Sequence, residues 1–211
     1  MNKRKGILIV VSGFSGAGKG TLLKSLVSKY ENYQISISAT TRSPREGEKE
    51  GREYFFVAKE KFEDMISKGE FMEYAQYVGN YYGTPKKYVE DRMKKGKDVI
   101  LEIEIQGALQ IKKNYPDALL LFVVPPSILE LKNRLLNRGS ETMELIESRL
   151  RRAKEEAMGI EEYDYIIVNE ELDFSVEELH HVIEGAHHMT SRNMEWIREM
   201  REQLTEEVKG E

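Results

Sequence analysis

Residues Gly13 to Thr21 read G-F-S-G-A-G-K-G-T, set between an apolar run, Ile7 to Val11, and a stretch of helical periodicity that begins at Thr21. Glycines at this spacing let consecutive backbone N–H groups converge on phosphate oxygens, while Lys19 and the positive end of the following helix hold the negative charge. Gly13, Phe14, Ser15, Gly16, Ala17, Gly18, Lys19, Gly20 and Thr21 are therefore candidate contacts for the phosphates of a nucleoside triphosphate. The spacing fits G-x-x-x-x-G-K, but Gly20 stands where a Ser or Thr usually offers its hydroxyl to Mg²⁺. Thr21 comes one place late. Either Thr21 reaches the ion or its water shell, or other groups hold the metal.

Such a loop needs a strand behind it and a helix in front. Leu22, Leu23, Leu26, Val27 and Tyr30 share one helical face. Five apolar runs read as buried parallel strands: Ile7 to Val11, Gln34 to Ser38, Val99 to Ile105, Ala118 to Val124 and Tyr165 to Val168. With helical segments between most of them, they argue for an α/β domain whose sheet is mainly parallel and whose ligands sit at the carboxyl ends of the strands. A long connection between the second and third runs contains aromatic, strand-like stretches at Tyr54 to Val57 and Phe71 to Tyr82, with a Gly79-Asn80 turn. It reads as an inserted lobe, Arg42 to Met93. Thr84-Pro85 has the form of an N-cap followed by proline at the first helical position. Ser127 with Glu130, and Ser175 with Glu178, resemble capping boxes.

Arg138 to Met158 is a charged segment whose apolar positions Met143, Ile146, Leu150, Ala153 and Ala157 repeat at helical spacing. The last segment, Val176 to about Val208, is charged enough to be expected mostly exposed. His180, His181, His187 and His188 raise a metal hypothesis that is set aside. Adjacent histidines point about 100° apart on a helix, and no carboxylate completes a clear ligand set.

The composition narrows the partners. The 211 residues carry a formal net charge of −5, which disfavours a nonspecific grip on nucleic acid or an anionic membrane. No cysteine is present, so disulfides and thiolate metal sites are excluded, and a reducing, cytoplasmic setting suits the chain. The apolar run after Lys3, Arg4 and Lys5 ends at Ser12, too soon for a signal sequence or a membrane span.

Beyond the phosphate loop, the run Ser36 to Tyr54, S-I-S-A-T-T-R-S-P-R-E-G-E-K-E-G-R-E-Y, and G-N-Y-Y-G-T at Gly79 to Thr84 closely resemble the guanylate kinase family. The likeness continues through L-E-I-E-I-Q-G at Leu101 to Gly107, R-L-L-N-R-G at Arg134 to Gly139, and Y-D-Y-I-I-V-N at Tyr163 to Asn169. It implies a P-loop NTPase-type fold, a mainly parallel sheet flanked by helices, with an inserted GMP-binding lobe and a helical lid. The 211 residues then form one domain: a core over 1–41, 94–137 and 159–211, the lobe over about 42–93 and the lid over about 138–158.

The resemblance also implies the reaction, transfer of the ATP γ-phosphoryl to GMP with Mg²⁺; it leaves dGMP open and names neither nucleic acid nor membrane as partner. A phosphate monoester has a second pKa near ~6, so the attacking oxygen is already largely ionised at neutral pH and needs no general base. The work left to the protein is to screen two anionic reactants, align them and stabilise shifting charge. By similarity, Lys19, Arg42, Arg138 and Arg149 carry that work. Arg42, Arg45, Tyr54 and Tyr82 hold the GMP phosphate, by arginine forks and neutral hydroxyl donors. Taken alone, Arg42 and Arg45 equally suit a solvated loop paired with Glu46 and Glu48.

Ser38, Glu73, Thr84 and Glu104 would read guanine, carboxylates accepting from N1–H and N2–H₂ while hydroxyls donate to O6. Many relatives carry Asp at the place of Glu104. Glu73 alone reads equally as an exposed strand charge. Arg134 and Asn169 would lie by the ATP base, and Arg138 and Arg149, with Arg152 a weaker fourth, would close on the phosphates. Glu102 follows an apolar strand, where a carboxylate approaches Mg²⁺ or its waters, or else is buried as a hydrogen-bonded structural partner. Two other readings compete: a kinase of the same fold with another phosphorylated acceptor, and a binding module that uses the acceptor pocket for phosphorylated peptides.

Overall fold

The computed structural model describes residues 5–77, 79–137 and 143–209. The chain runs β1 (Leu8–Gly13), α1 (Lys19–Lys29), β2 (Tyr33–Ile35), β3 (Ala39–Thr40), β4 (Phe55–Phe56), α2 (Lys59–Ser67), β5 (Phe71–Tyr77) and β6 (Asn80–Pro85). It continues through α3 (Lys86–Lys94), β7 (Asp98–Glu102), α4 (Ile105–Asn114), β8 (Leu119–Val124), α5 (Ile128–Leu136), α6 (Met143–Ala157), β9 (Tyr165–Val168), α7 (Leu172–His187) and α8 (Met194–Lys209).

The five apolar runs form one sheet in the order β2-β7-β1-β8-β9, and every pairing in it is parallel. Alternation along β1 supplies two cores. Ile9 and Val11 pack with Leu22, Leu23 and Leu26 of α1, Leu131 and Leu135 of α5, and Val176, Leu179 and Ile183 of α7. Leu8 and Val10 face the other way, toward Val89 of α3 and Ala108 and Ile111 of α4. Burying both faces of β1, β7 and β8 requires near-continuous apolar strands, whereas β9, at the sheet edge, buries only Ile167 and is not the buried strand expected.

The long connection forms a second sheet, β4-β3-β6-β5, whose β5–β6 and β3–β6 pairings are antiparallel. Gly79, at φ 78°, makes the expected turn before Asn80. Phe62 of α2 stacks between Phe71 and Tyr81, with ring centroids at 4.3 and 5.2 Å. That stack covers one side of a sheet too small to build a core of its own.

Several local expectations change. The third run ends as a strand at Glu102, and Ile105 already opens α4, because Glu104 takes up the extended N-cap conformation. Gln34 to Ser38 is a strand only as far as Ile35. Pro85 closes β6 and is itself the N-cap of α3, so Thr84 is a strand residue rather than a cap. Ser127 does cap α5, accepting from the Glu130 amide. Ser175 does not start a helix: α7 begins at Leu172, and the Ser175 hydroxyl donates back to the Glu171 carbonyl. The last segment is mostly exposed, as expected, with the exception of the α7 face that buries Val176, Leu179, Ile183 and Ala186.

One argument against a metal at the histidines also fails. Asp98 and Glu184 offer ligand atoms within 4.8 Å of each other and of His187. Asp98, however, is fully buried and accepts from the Ile7 amide, from Asn32 and from His187, which ties β7 to α7.

Candidate active site

The phosphate loop leaves β1 at Gly13, whose φ is 150° and whose Cβ would stand 2.2 Å from the Val123 carbonyl oxygen on β8. Gly18, at φ 89°, is the N-cap of α1, and a Cβ there would meet Asn169 Nδ2 at 2.4 Å. A side chain at Gly13 would clash with backbone, and one at Gly18 would be strained and push Asn169 aside. Asn169 is buried and donates 2.8 Å to the Ala17 carbonyl, so it fixes the loop from the end of β9. Arg134 donates to the same carbonyl at 3.4 Å and to Glu130 of its own helix at 2.8 Å. Phe14 is a core residue: its ring meets Phe122 edge-on at 5.2 Å, so only its backbone is left for a ligand.

Lys19 Nζ donates to the carbonyls of Gly13 and Phe14 at 2.6 and 3.1 Å. Burial pulls its pKa below the usual range, while Glu102, Glu156 and Glu104 push it back up. A cavity of about 570 Å³ opens beside it, lined from the loop by Ser12, Ser15 and Lys19. The strand end opposite adds Glu102 and Glu104, α6 adds Arg149, Arg152 and Glu156, and Tyr54 closes the side. Arg149 donates to the Ser15 hydroxyl, and Arg152 to Glu104. Cationic and anionic groups from separate elements thus converge on one space at the carboxyl ends of β1 and β7.

The remaining expected residues lie on the second sheet or on the segments that flank its strands. Arg42 pairs with Glu48 at 2.9 Å, and its guanidinium lies 5.4 Å from the centroid of the Tyr54 ring. That pairing holds Glu48 below the usual carboxylate range. Tyr82 packs edge-on against Tyr54 at 6.0 Å. Arg45 is exposed, and its amide donates to Glu48 at 2.8 Å. Ser38 is half-buried between β2 and β3, its carbonyl accepting from the Phe55 amide.

Glu73 is no exposed strand charge. It is only 6 % exposed, and burial raises its pKa against the opposing pull of Thr84. The Thr84 hydroxyl donates to its Oε1 at 2.6 Å, so that proton is committed to Glu73 rather than held out to a base. A Cβ on Gly107 would come within 3.1 Å of Glu73 Oε2, so the bare glycine lets α4 approach the carboxylate.

Arg138 lies outside the described residues. Thr21 is exposed on the first turn of α1 and does not line the cavity, whereas Glu102 does. Glu102 is also exposed, which removes the buried-partner alternative. Glu156 was missed in the sequence. Its spacing from Arg149 and Arg152, seven and four residues along one helix, puts all three on one face and was the available signal.

A parallel sheet flanked by helices, with a glycine loop after its first strand and a half-buried lysine beside a polar cavity, defines a P-loop nucleotide-binding protein. The guanylate kinase family profile matches residues 5–186. A guanylate kinase of Bacillus cereus is 48% identical over 97% of this chain and 100% of its own length. One from Clostridioides difficile (strain 630) is 52% identical over 90% of this chain and 92% of its own. The crystal structure of guanylate kinase from Anaplasma phagocytophilum superposes with a TM-score of 0.72 at 35% identity, covering 91% of this chain and 92% of that one. The chain belongs to the guanylate kinase family and is a nucleoside monophosphate kinase.

Proposed function

We infer that the chain carries out its family's reaction, transfer of the ATP γ-phosphoryl to GMP, with the loop side of the cavity taking ATP and the second sheet taking GMP. The observation that carries this division is the single cavity shared by Lys19, Arg149, Glu104 and Tyr54. Lys19, Arg149 and Arg138 stabilise the phosphoryl in flight, and Arg42 orients the acceptor phosphate together with Arg45, Tyr54 and Tyr82. The loop amides of residues 13–21 cradle the ATP phosphates, with Arg134 and Asn169 by its base.

Glu73 and Glu104 accept from the guanine N–H groups, Ser38 faces the same base, and Thr84 acts by fixing Glu73. Adenine would set its N1 lone pair against a buried acceptor, a mismatch that rejects it. Mg²⁺ suits a hard-oxygen site, and Glu102, exposed at the end of β7 and lining the cavity, offers such an oxygen. The ion would neutralise phosphate charge there, and Thr21 contributes through water at most. The residues divide into the core, the lobe over about 42–93 and the lid over about 138–158. No described helix is long and apolar enough to cross a membrane; a cytoplasmic setting fits the cysteine-free chain.

The test is a coupled assay of ADP formation from ATP with Mg²⁺ and each of GMP, dGMP, AMP, CMP and UMP. GMP should turn over far faster than AMP, CMP or UMP. Equal turnover of AMP, or of no nucleotide, overturns the reading.

A further inference from the structure

The wall of the cavity formed by α6 carries one arginine that holds two carboxylates at once. Arg152 Nε donates to Glu156 Oε1 at 3.1 Å, one turn along its own helix, while its Nη2 donates to Glu104 Oε2 at the head of α4. The two partners differ in surroundings. The Glu156 side chain is 17% exposed and that of Glu104 is 64% exposed. Glu156 also keeps its second oxygen buried with no hydrogen-bond partner among the described residues, and burial raises its pKa. Breaking a covered pair leaves a poorly solvated charge, whereas an exposed carboxylate exchanges partners at little cost. Arg152 is therefore anchored at its Nε end and exchangeable at its Nη2 end.

Glu104 is also the carboxylate assigned above to the guanine edge. Guanine N1–H and N2–H₂ need the lone pairs that Arg152 Nη2 occupies, so the base and the guanidinium compete for one acceptor. A guanidinium released from Glu104 but still held by Glu156 stays within the cavity that Lys19 and Ser15 line.

We propose that Arg152 is a positioning residue that couples the two nucleotide sites: GMP displaces its outer nitrogen from Glu104 and so turns a positive charge toward the ATP phosphates. The coupling must be reciprocal. Whatever GMP does for ATP affinity, ATP does equally for GMP. The glutamate arm matters, since it must span from α4 to α6. The proposal rests on the reading of Glu104 as a base contact.

The experiment is isothermal titration calorimetry with GMP, alone and with a saturating nonhydrolysable ATP analogue plus Mg²⁺, on the full chain and its Arg152→Gln variant. In the unaltered protein the analogue should tighten GMP binding at least about fivefold, toward the lower end of ordinary site coupling. In Arg152→Gln that factor should fall to near 1, while GMP alone binds as tightly as before or more tightly, because Glu104 no longer has to surrender a partner. Weaker binding of GMP alone with the coupling kept would make Arg152 a plain phosphate contact and overturn the proposal. Coupling kept with GMP binding unchanged overturns it equally.

Glu156→Gln should lower kcat and reduce the coupling while leaving the affinity for GMP alone in place; an unchanged kcat and coupling would remove the anchor. Selectivity of Glu104→Gln for GMP over AMP separates the two levels. If that selectivity stays at its original value, the base reading fails and the coupling falls with it. If selectivity drops while Arg152→Gln keeps its coupling, the coupling alone fails.

Discussion

The phosphate loop takes its shape from buried neighbours, whereas α6 and the segment carrying Arg42 hold their charged groups by ion pairs. Around the loop, Asn169 fixes the Ala17 carbonyl, Phe14 is locked against Phe122, and Gly13 and Gly18 are closely approached by Val123 and Asn169. Across the cavity, Arg152 bridges the covered Glu156 and the exposed Glu104, and Arg42 pairs with Glu48; the bond to Glu104 is the one that another group can most readily replace. The difference matches the two tasks. Electrostatic stabilisation of a transferring phosphoryl is effective when its dipoles are already in place. Closure over two nucleotides needs contacts that break and re-form.

The largest effect should come from the fixed side. Lys19→Met removes the half-buried cation of the loop, and kcat should fall at least ~100-fold with GMP affinity little changed. Steady-state kinetics with GMP and ATP check it. A variant that keeps most of its activity would show that the loop works by backbone amides alone, and the contrast would lose its charged half.

Next in size is Glu73→Gln, which tests a rigid element within the adaptable half. Burial of Glu73 and its bond from Thr84 mean that the amide must place its oxygen toward either the hydroxyl or the base. Loss of a charge-assisted bond costs about 1.5–3 kcal/mol, so kcat/KM for GMP should drop roughly 10- to 150-fold. ATP binding should not change. Unaltered kcat/KM and selectivity would leave base reading to Glu104 alone.

Gly18→Ala measures the rigidity of the loop directly. The positive φ and the close approach of Asn169 make strain of about 1–3 kcal/mol the expected cost, or a fall in melting temperature of roughly 2–12 °C for a chain of this size. An unchanged melting temperature would show that the loop relaxes freely.

The two halves were also unequally legible in the sequence. The sheet and loop could be read because their signals are local: apolar runs, the central three of them buried on both faces, and glycines at fixed spacing before a helix. The second sheet and α6 depend on which distant side chains meet. The pairing of Arg152 with Glu104 spans two elements, and no period in the chain announces it. The commitment of the Thr84 hydroxyl to Glu73 was hidden for the same reason, and the Thr84-Pro85 pair suggested a helix cap instead. Proline at the end of a strand carries the same local preference as proline at a helix start, so only the ladder with β5 decides between them.

The smallest effect is expected at Glu48, and it separates a placeholder from a scaffold. The carboxylate does two things: Oε1 accepts from Arg42, and Oε2 accepts from the Arg45 amide. Glu48→Gln can keep an oxygen on the Arg45 amide while losing the charge that draws Arg42. If the ion pair competes with the GMP phosphate, the freed guanidinium should bind GMP more tightly, within about fivefold, the order of the ~1 kcal/mol that a partly exposed pair contributes. If Glu48 instead shapes the segment around the phosphate, GMP binding should weaken. Calorimetric titration of GMP at neutral pH, where the lowered pKa keeps Glu48 ionised, distinguishes the two by sign alone. A weakened affinity would place Glu48 with Asn169 and Thr84 among the fixed supports, and the exchangeable half of the site would shrink to Arg152.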